Sequence, residues 1–174
     1  YYERGWCNIE KRLSGLVKDD NCLWDLSGFQ GGETYIRCQN EMKAGRQPFM
    51  SPEVAERQLR QGVADGSIHF SYVSDMDGVI NMYREGFMRA FETYNYGVKG
   101  CNVNTVAYNK LGWGAAEVPT LVEAIKYADR HCDKEKTGML TLNVGKNNFT
   151  EEEKAELEGA TARWKGGSAF EVDC

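Results

Sequence analysis

The stretch Ser74-Asp75-Met76-Asp77-Gly78-Val79-Ile80-Asn81-Met82-Tyr83-Arg84-Glu85-Gly86-Phe87-Met88-Arg89-Ala90-Phe91-Glu92-Thr93-Tyr94 decides how this chain is read. Ile80, Tyr83, Phe87, Phe91 and Tyr94 recur at steps of three, four, four and three, which places them on one face of a helix. Ser74, Asp75 and Asp77 suit its start, where unpaired backbone N–H groups and the positive end of the helix dipole favour oxygen and negative charge. Just upstream, Ile68, Phe70 and Tyr72 alternate with His69 and Ser71, the period of a strand with one buried face. A strand running into a broadly apolar helix predicts that the helix packs on that strand, as in an α/β domain.

Towards the N-terminus, Trp6, Ile9, Leu13 and Leu16 form another helical face, predicting a helix from about Trp6 to Lys18. Cys22-Leu23-Trp24-Asp25-Leu26 reads as a short buried strand and Gly28–Gly32 as a loop. A charged, weakly amphipathic stretch then runs to Gly45, and Arg46-Gln47-Pro48 breaks it. Ser51-Pro52-Glu53 predicts a helix to about Val63, because the serine oxygen can accept an orphan N–H and proline presets the first-turn φ.

Gly97–Gly100 marks a change of texture, dividing the chain into portions 1–98 and 99–174. Beyond it, Asn104–Gly112 and Leu142–Thr150 each place one apolar residue three before an Asn and another two after it. A helix follows each, the first with the stripe Val118, Leu121, Val122, Ile125. The second opens on the capping box Thr150-x-x-Glu153 and carries Leu157, Ala160 and Trp164. This strand–Asn–helix pattern resembles a leucine-rich repeat of the ribonuclease-inhibitor kind, in which the Asn side chain bonds the backbone of adjoining turns. The step from Asn109 to Asn147 exceeds the usual repeat length, with Asp133–Gly138 as an insertion. Two unrelated βα units remain an equal reading. Two repeats alone would have to cap a neighbouring domain or end a longer array.

Composition bounds the function. With 174 residues, 21 basic against 26 acidic side chains and a net charge of −5, the chain fits one soluble domain or two small ones. An acidic balance without a long Lys/Arg cluster argues against nucleic acid, whose phosphates demand a basic face. No apolar run reaches the roughly 18 residues of a membrane-spanning helix, and the start shows no basic-then-apolar leader. Cys7, Cys22, Cys38, Cys101, Cys132 and Cys174 form no CxxC pair, and only His69 and His131 could join them, which argues against zinc. Scattered cysteines in a chain with a normal apolar fraction read as reduced thiols rather than disulfides. The sequon Asn148-Phe149-Thr150 carries no weight without a secretory context.

Two segments carry candidate chemistry. Arg4-Gly5-Trp6-Cys7-Asn8-Ile9-Glu10 has the W-C-x-x-E spacing and resembles the segment around the catalytic glutamate of TIR domains. Together with Leu23-Trp24-Asp25-Leu26, the Ser-Pro-Glu helix and Met82-Tyr83-Arg84-Glu85-Gly86-Phe87, it resembles a group of uncharacterised proteins of unicellular algae, some of which continue into leucine-rich repeats. That resemblance implies a partial TIR-like or flavodoxin-like α/β portion over residues 1–98, begun partway through its domain, and strand–helix units over 99–174. Carried to function, it implies that Glu10 holds the nicotinamide ribose during glycosidic cleavage of NAD. A carboxylate beside an aromatic face can stabilise an oxocarbenium-like sugar. The plainer reading, which outweighs it, is that Glu10 lies at the boundary of core and water.

Phe70 to Ile80 resembles the first motif of haloacid-dehalogenase-type phosphatases, a strand followed by D-x-D-G-V. That resemblance implies Asp75 as nucleophile and Asp77 as acid/base, both helping to hold Mg²⁺. The motif needs a further Lys and a downstream acidic pair. Lys146 follows a strand, but no acidic pair stands there, and capping of the helix by Ser74, Asp75 and Asp77 outweighs catalysis. The same residues fail as an EF-hand, because Gly78 stands fourth and Gly86 twelfth from Asp75. Phosphate-loop, dinucleotide-binding and Ser/Cys–His motifs are absent. With no complete catalytic constellation, the chain reads as a non-catalytic protein-binding or scaffold component of a larger assembly, with other proteins as partners and no cofactor or metal. The algal resemblance implies a soluble, intracellular or organellar setting, such as the periphery of a photosynthetic complex.

Overall fold

The structure, a computed structural model, describes residues 3–17, 31–32, 34–36, 46–92, 105–133, 140–161 and 170–173. Among the described residues the main helices are α1 (Gly5–Val17), α2 (Pro52–Asp65), α3 (Asp75–Glu92), α4 (Val118–His131) and α5 (Glu151–Thr161). They stand where periodicity and caps predict them. The strands are short: β1 (Thr105–Ala107), β2 (Leu140–Asn143) and β3 (Phe170–Asp173). They form one parallel sheet in the order β1-β2-β3. The strand expected at 22–26, the boundary at 97–100, and Tyr94 and Trp164 of the helical stripes lie outside the described residues.

The expectation of an α/β fold, a TIR-like or flavodoxin-like portion followed by strand–helix repeats, is therefore corrected. The protein is mostly helical. Its described strands run three to four residues, against eleven to eighteen for its helices. Within residues 46–92 the expected strand at 68–72 is a single parallel bridge between Arg4 and His69. The alternation there has another cause. Ile68 fills the notch at Gly62 of α2, where an added Cβ would lie 2.6 Å from its Cδ1, and the Phe70 ring fills the notch at Gly5 of α1. Tyr72, third in the alternation, is 72% exposed. Backbone bonds from Gly5 to the His69 carbonyl (3.1 Å), from His69 to the Glu3 carbonyl (2.6 Å) and from Ile68 to the Gly62 carbonyl (2.9 Å) complete the strap.

Helix α3 consequently packs on α1 and α2 instead of on a sheet. At Gly86 it leaves room for Leu13 of α1, where a Cβ would come within 2.7 Å of Leu13 Cδ2. Val79, Ile80, Tyr83, Phe87 and Phe91 are all buried. Phe49, from the segment entering α2, lies among Phe87 (ring centroids 6.3 Å), Phe91 (5.9 Å) and Tyr108 (6.0 Å). Tyr127 of α4 meets Phe87 edge-on at 5.7 Å. Offset and edge-on aromatic pairs of this kind add about 0.5–1.5 kcal/mol beyond their area. The buried cluster runs unbroken from Ile9 to Ala160, so described residues on both sides of the expected boundary share one core.

A polar link reinforces that union. Ser51 caps α2, its Oγ accepting from the Val54 N–H at 3.2 Å, while its hydroxyl donates to Glu123 of α4, whose two carboxylate oxygens both lie 2.7 Å away.

In the C-terminal part the ladder sets a different correspondence from the Asn-to-Asn alignment. Thr105 pairs with Thr141 and Val106 with Leu142, so Asn109 falls opposite Gly145 and Leu111 opposite Asn147. The Lys110 N–H donates to the Gly145 carbonyl at 3.1 Å. Lys110 (φ 58°) and Lys146 (φ 60°) share one register and one left-handed turn. Asn109 and Asn147 are therefore not equivalent. Among the described residues Asn147, and not Asn109, makes the expected cross-turn bonds: its Oδ1 accepts from Leu111 (2.8 Å) and Trp113 (3.3 Å) and its Nδ2 donates to the Tyr108 carbonyl (2.7 Å) and, within its own turn, to the Val144 carbonyl (2.6 Å).

Candidate functional site

The motif residues lie apart in their roles. Glu10 stands exposed on α1, one turn beyond Trp6. Asp75 sits in the first turn of α3, its backbone N–H donating to the Tyr72 carbonyl at 3.0 Å. Asp77, exposed, accepts from Arg60 of α2 at 2.9 Å. Arg60 also donates to Glu56 at 2.9 Å, and Arg84 of α3 donates to Glu56 at 3.1 Å. These bonds to Glu56 first, and to Asp77 second, hold the Arg60 guanidinium above its usual pKa. The four charges thus lace α2 to α3 beside a shallow groove of about 520 Å³ lined by Glu53, Glu56, Arg57, Arg60 and Gln61. Exposed ion pairs of this kind each contribute little to stability. Among the described residues no three His, Cys, Asp or Glu side chains assemble into a metal-binding group, and Lys146 occupies the turn after β2.

A second polar cluster is interior. Arg12 of α1 donates to Asn8 (3.3 Å) and, at 3.4 Å, to the Pro48 carbonyl, and burial pushes its guanidinium below the usual pKa. Tyr83 bonds the Met50 backbone. The Tyr108 hydroxyl is fully buried, makes no well-formed hydrogen bond among the described residues, and has its pKa raised by desolvation against the smaller opposing influence of Arg46 and the Phe49 backbone. Beside Gly15 an added Cβ would lie 3.4 Å from that hydroxyl, in ordinary van der Waals contact.

The feature that motif reading missed is apolar. Trp6, assigned to the buried stripe of the first helix, is 46% exposed, and Tyr72 and Val73 are 72% and 63% exposed. Gly5, not Trp6, is the residue that faces inward at the start of α1, because the Phe70 ring occupies that notch. The parallel bridge of Arg4 with His69 sets the chain carrying Trp6 alongside the chain carrying Tyr72 and Val73. Exposed Trp and Tyr are residue types that protein interfaces favour. A period-two alternation assigned Tyr72 inward, and no local signal distinguishes an alternation that fills glycine notches from one that builds a sheet.

Comparison of the chain with protein-family models, curated proteins and solved structures finds no match.

No helix among the described residues is long and apolar enough to cross a membrane.

Proposed function

We propose that this chain is a non-catalytic, protein-binding component of a larger assembly and that it contacts another protein through Trp6, Tyr72 and Val73. The observation that carries the reading is the exposure of these three side chains beside the Arg4–His69 bridge. Trp and Tyr supply large contact area at low conformational cost and dominate the energetics of protein interfaces. The bridge, the seated Phe70 ring and the backbone bonds from Asp75 to Tyr72 and from Met76 to Val73 hold their backbones in place, so little order remains to be imposed on binding. The alternative readings draw no comparable support: Asp77 is engaged with Arg60, and Glu10 lies on an exposed helix face.

A photo-crosslinking phenylalanine analogue placed at position 72 of the full chain, expressed in cells of the source organism, tests the reading. The expected result is one recurrent cross-linked protein. Once purified, that protein binds the unmodified chain and loses at least tenfold in affinity to Trp6→Ala and to Tyr72→Ser, while Lys126→Ala leaves binding unchanged. A chain that stays monomeric and gives no cross-link dependent on Trp6 overturns it. NAD consumption abolished by Glu10→Ala, or Mg²⁺-dependent aryl phosphate hydrolysis abolished by Asp75→Asn, would overturn it in favour of catalysis.

A further inference from the structure

We draw no further inference here: the strongest candidate, the buried cluster of Arg12, Arg46 and the Tyr108 hydroxyl between α1 and the segment at 46–51, carries nothing because Arg46 is already engaged and nothing in the structure shows what would share the site with it.

Discussion

The Tyr83 hydroxyl bonds both backbone polar groups of Met50, donating to its carbonyl at 2.8 Å and accepting from its amide at 3.2 Å. One side chain of α3 thereby does for Met50 what a neighbouring strand would do in a sheet. Met50 precedes the Ser51 cap, so this clamp also aims α2. Tyr83→Phe leaves a buried N–H and a buried carbonyl without a partner. Each such group costs about 1–3 kcal/mol, so a loss of about 2 kcal/mol or more is expected in denaturant unfolding. A variant as stable as the parent would show that water satisfies Met50.

Tyr108 is the contrasting tyrosine. Its ring packs on Trp113 at 4.7 Å and on Phe49, but among the described residues its buried hydroxyl makes no well-formed hydrogen bond, with only the Phe49 backbone and the Arg46 charge near it. Removing an unsatisfied polar atom while keeping the ring is neutral or stabilising. Tyr108→Phe is therefore expected to hold or raise the unfolding midpoint, and a drop above about 1 kcal/mol would reveal a bonded hydroxyl.

Phe87 lies at the centre of the aromatic core, against Phe91 at 4.8 Å and Tyr127 at 5.7 Å, and is fully buried. Phe87→Ala should cost about 3–5 kcal/mol, a large share of the roughly 5–15 kcal/mol available to a domain. Thr150 and Glu153 form the reciprocal capping box of α5, with bonds of 3.3 and 2.8 Å, in an exposed position. Thr150→Ala should cost about 1 kcal/mol and leave the protein folded. The reverse order of denaturant midpoints would place the core at the C-terminal end instead.

Asn147 ties the turn after β1 to the turn after β2 through three side-chain bonds, to Leu111, Trp113 and Tyr108, and adds a fourth to Val144 within its own turn. Losing them should destabilise Asn147→Ala by about 2–4 kcal/mol, since three of the bonds hold backbone groups of the facing turn. Asn109, displaced from that position by the ladder register, should tolerate alanine within about 0.5 kcal/mol. Equal losses at both asparagines would restore the Asn-to-Asn correspondence.

Stability should fall in alkali. Burial pushes the Cys132 thiol from 9.0 up to about 12, with Glu92 adding to the effect, and pushes the Tyr83 hydroxyl from 10.0 up to about 12. The folded protein holds both protons more tightly than the unfolded chain does, so their contribution is complete below pH 9 and is lost as pH rises from 9 towards 12. Unfolding midpoints measured across that range should decline, and less steeply in Cys132→Ala. A flat profile would contradict the burial of both groups. The same burial should leave Cys132 unalkylated by iodoacetamide in the folded protein at pH 8, read by peptide mass mapping.

Part of the candidate site was legible beforehand and part was not. Glu10, Asp75 and Asp77 stand out as motif residues because their spacing is local. Asp77, however, spends its carboxylate on Arg60, seventeen residues away, which no motif shows. Trp6 and Tyr72 were assigned inward on periodicity alone. Their exposure follows from Gly5 and Gly62, whose missing side chains admit Phe70 and Ile68 in place of a sheet.

What the sequence determined by itself is helices α1 to α5 with the Ser51 cap and the Thr150–Glu153 box. Helix hydrogen bonds, caps and amphipathic faces all join residues three or four apart, so the information sits within each segment. Only the tertiary structure decided that Ile68–Tyr72 is a strap rather than a strand, that Asn147 bonds Leu111 while Asn109 faces Gly145, and that Trp6 remains in water. Each of those outcomes depends on which distant backbone comes within hydrogen-bond or van der Waals reach. An alternating or Asn-bearing segment is compatible with several such neighbours until the helices have packed.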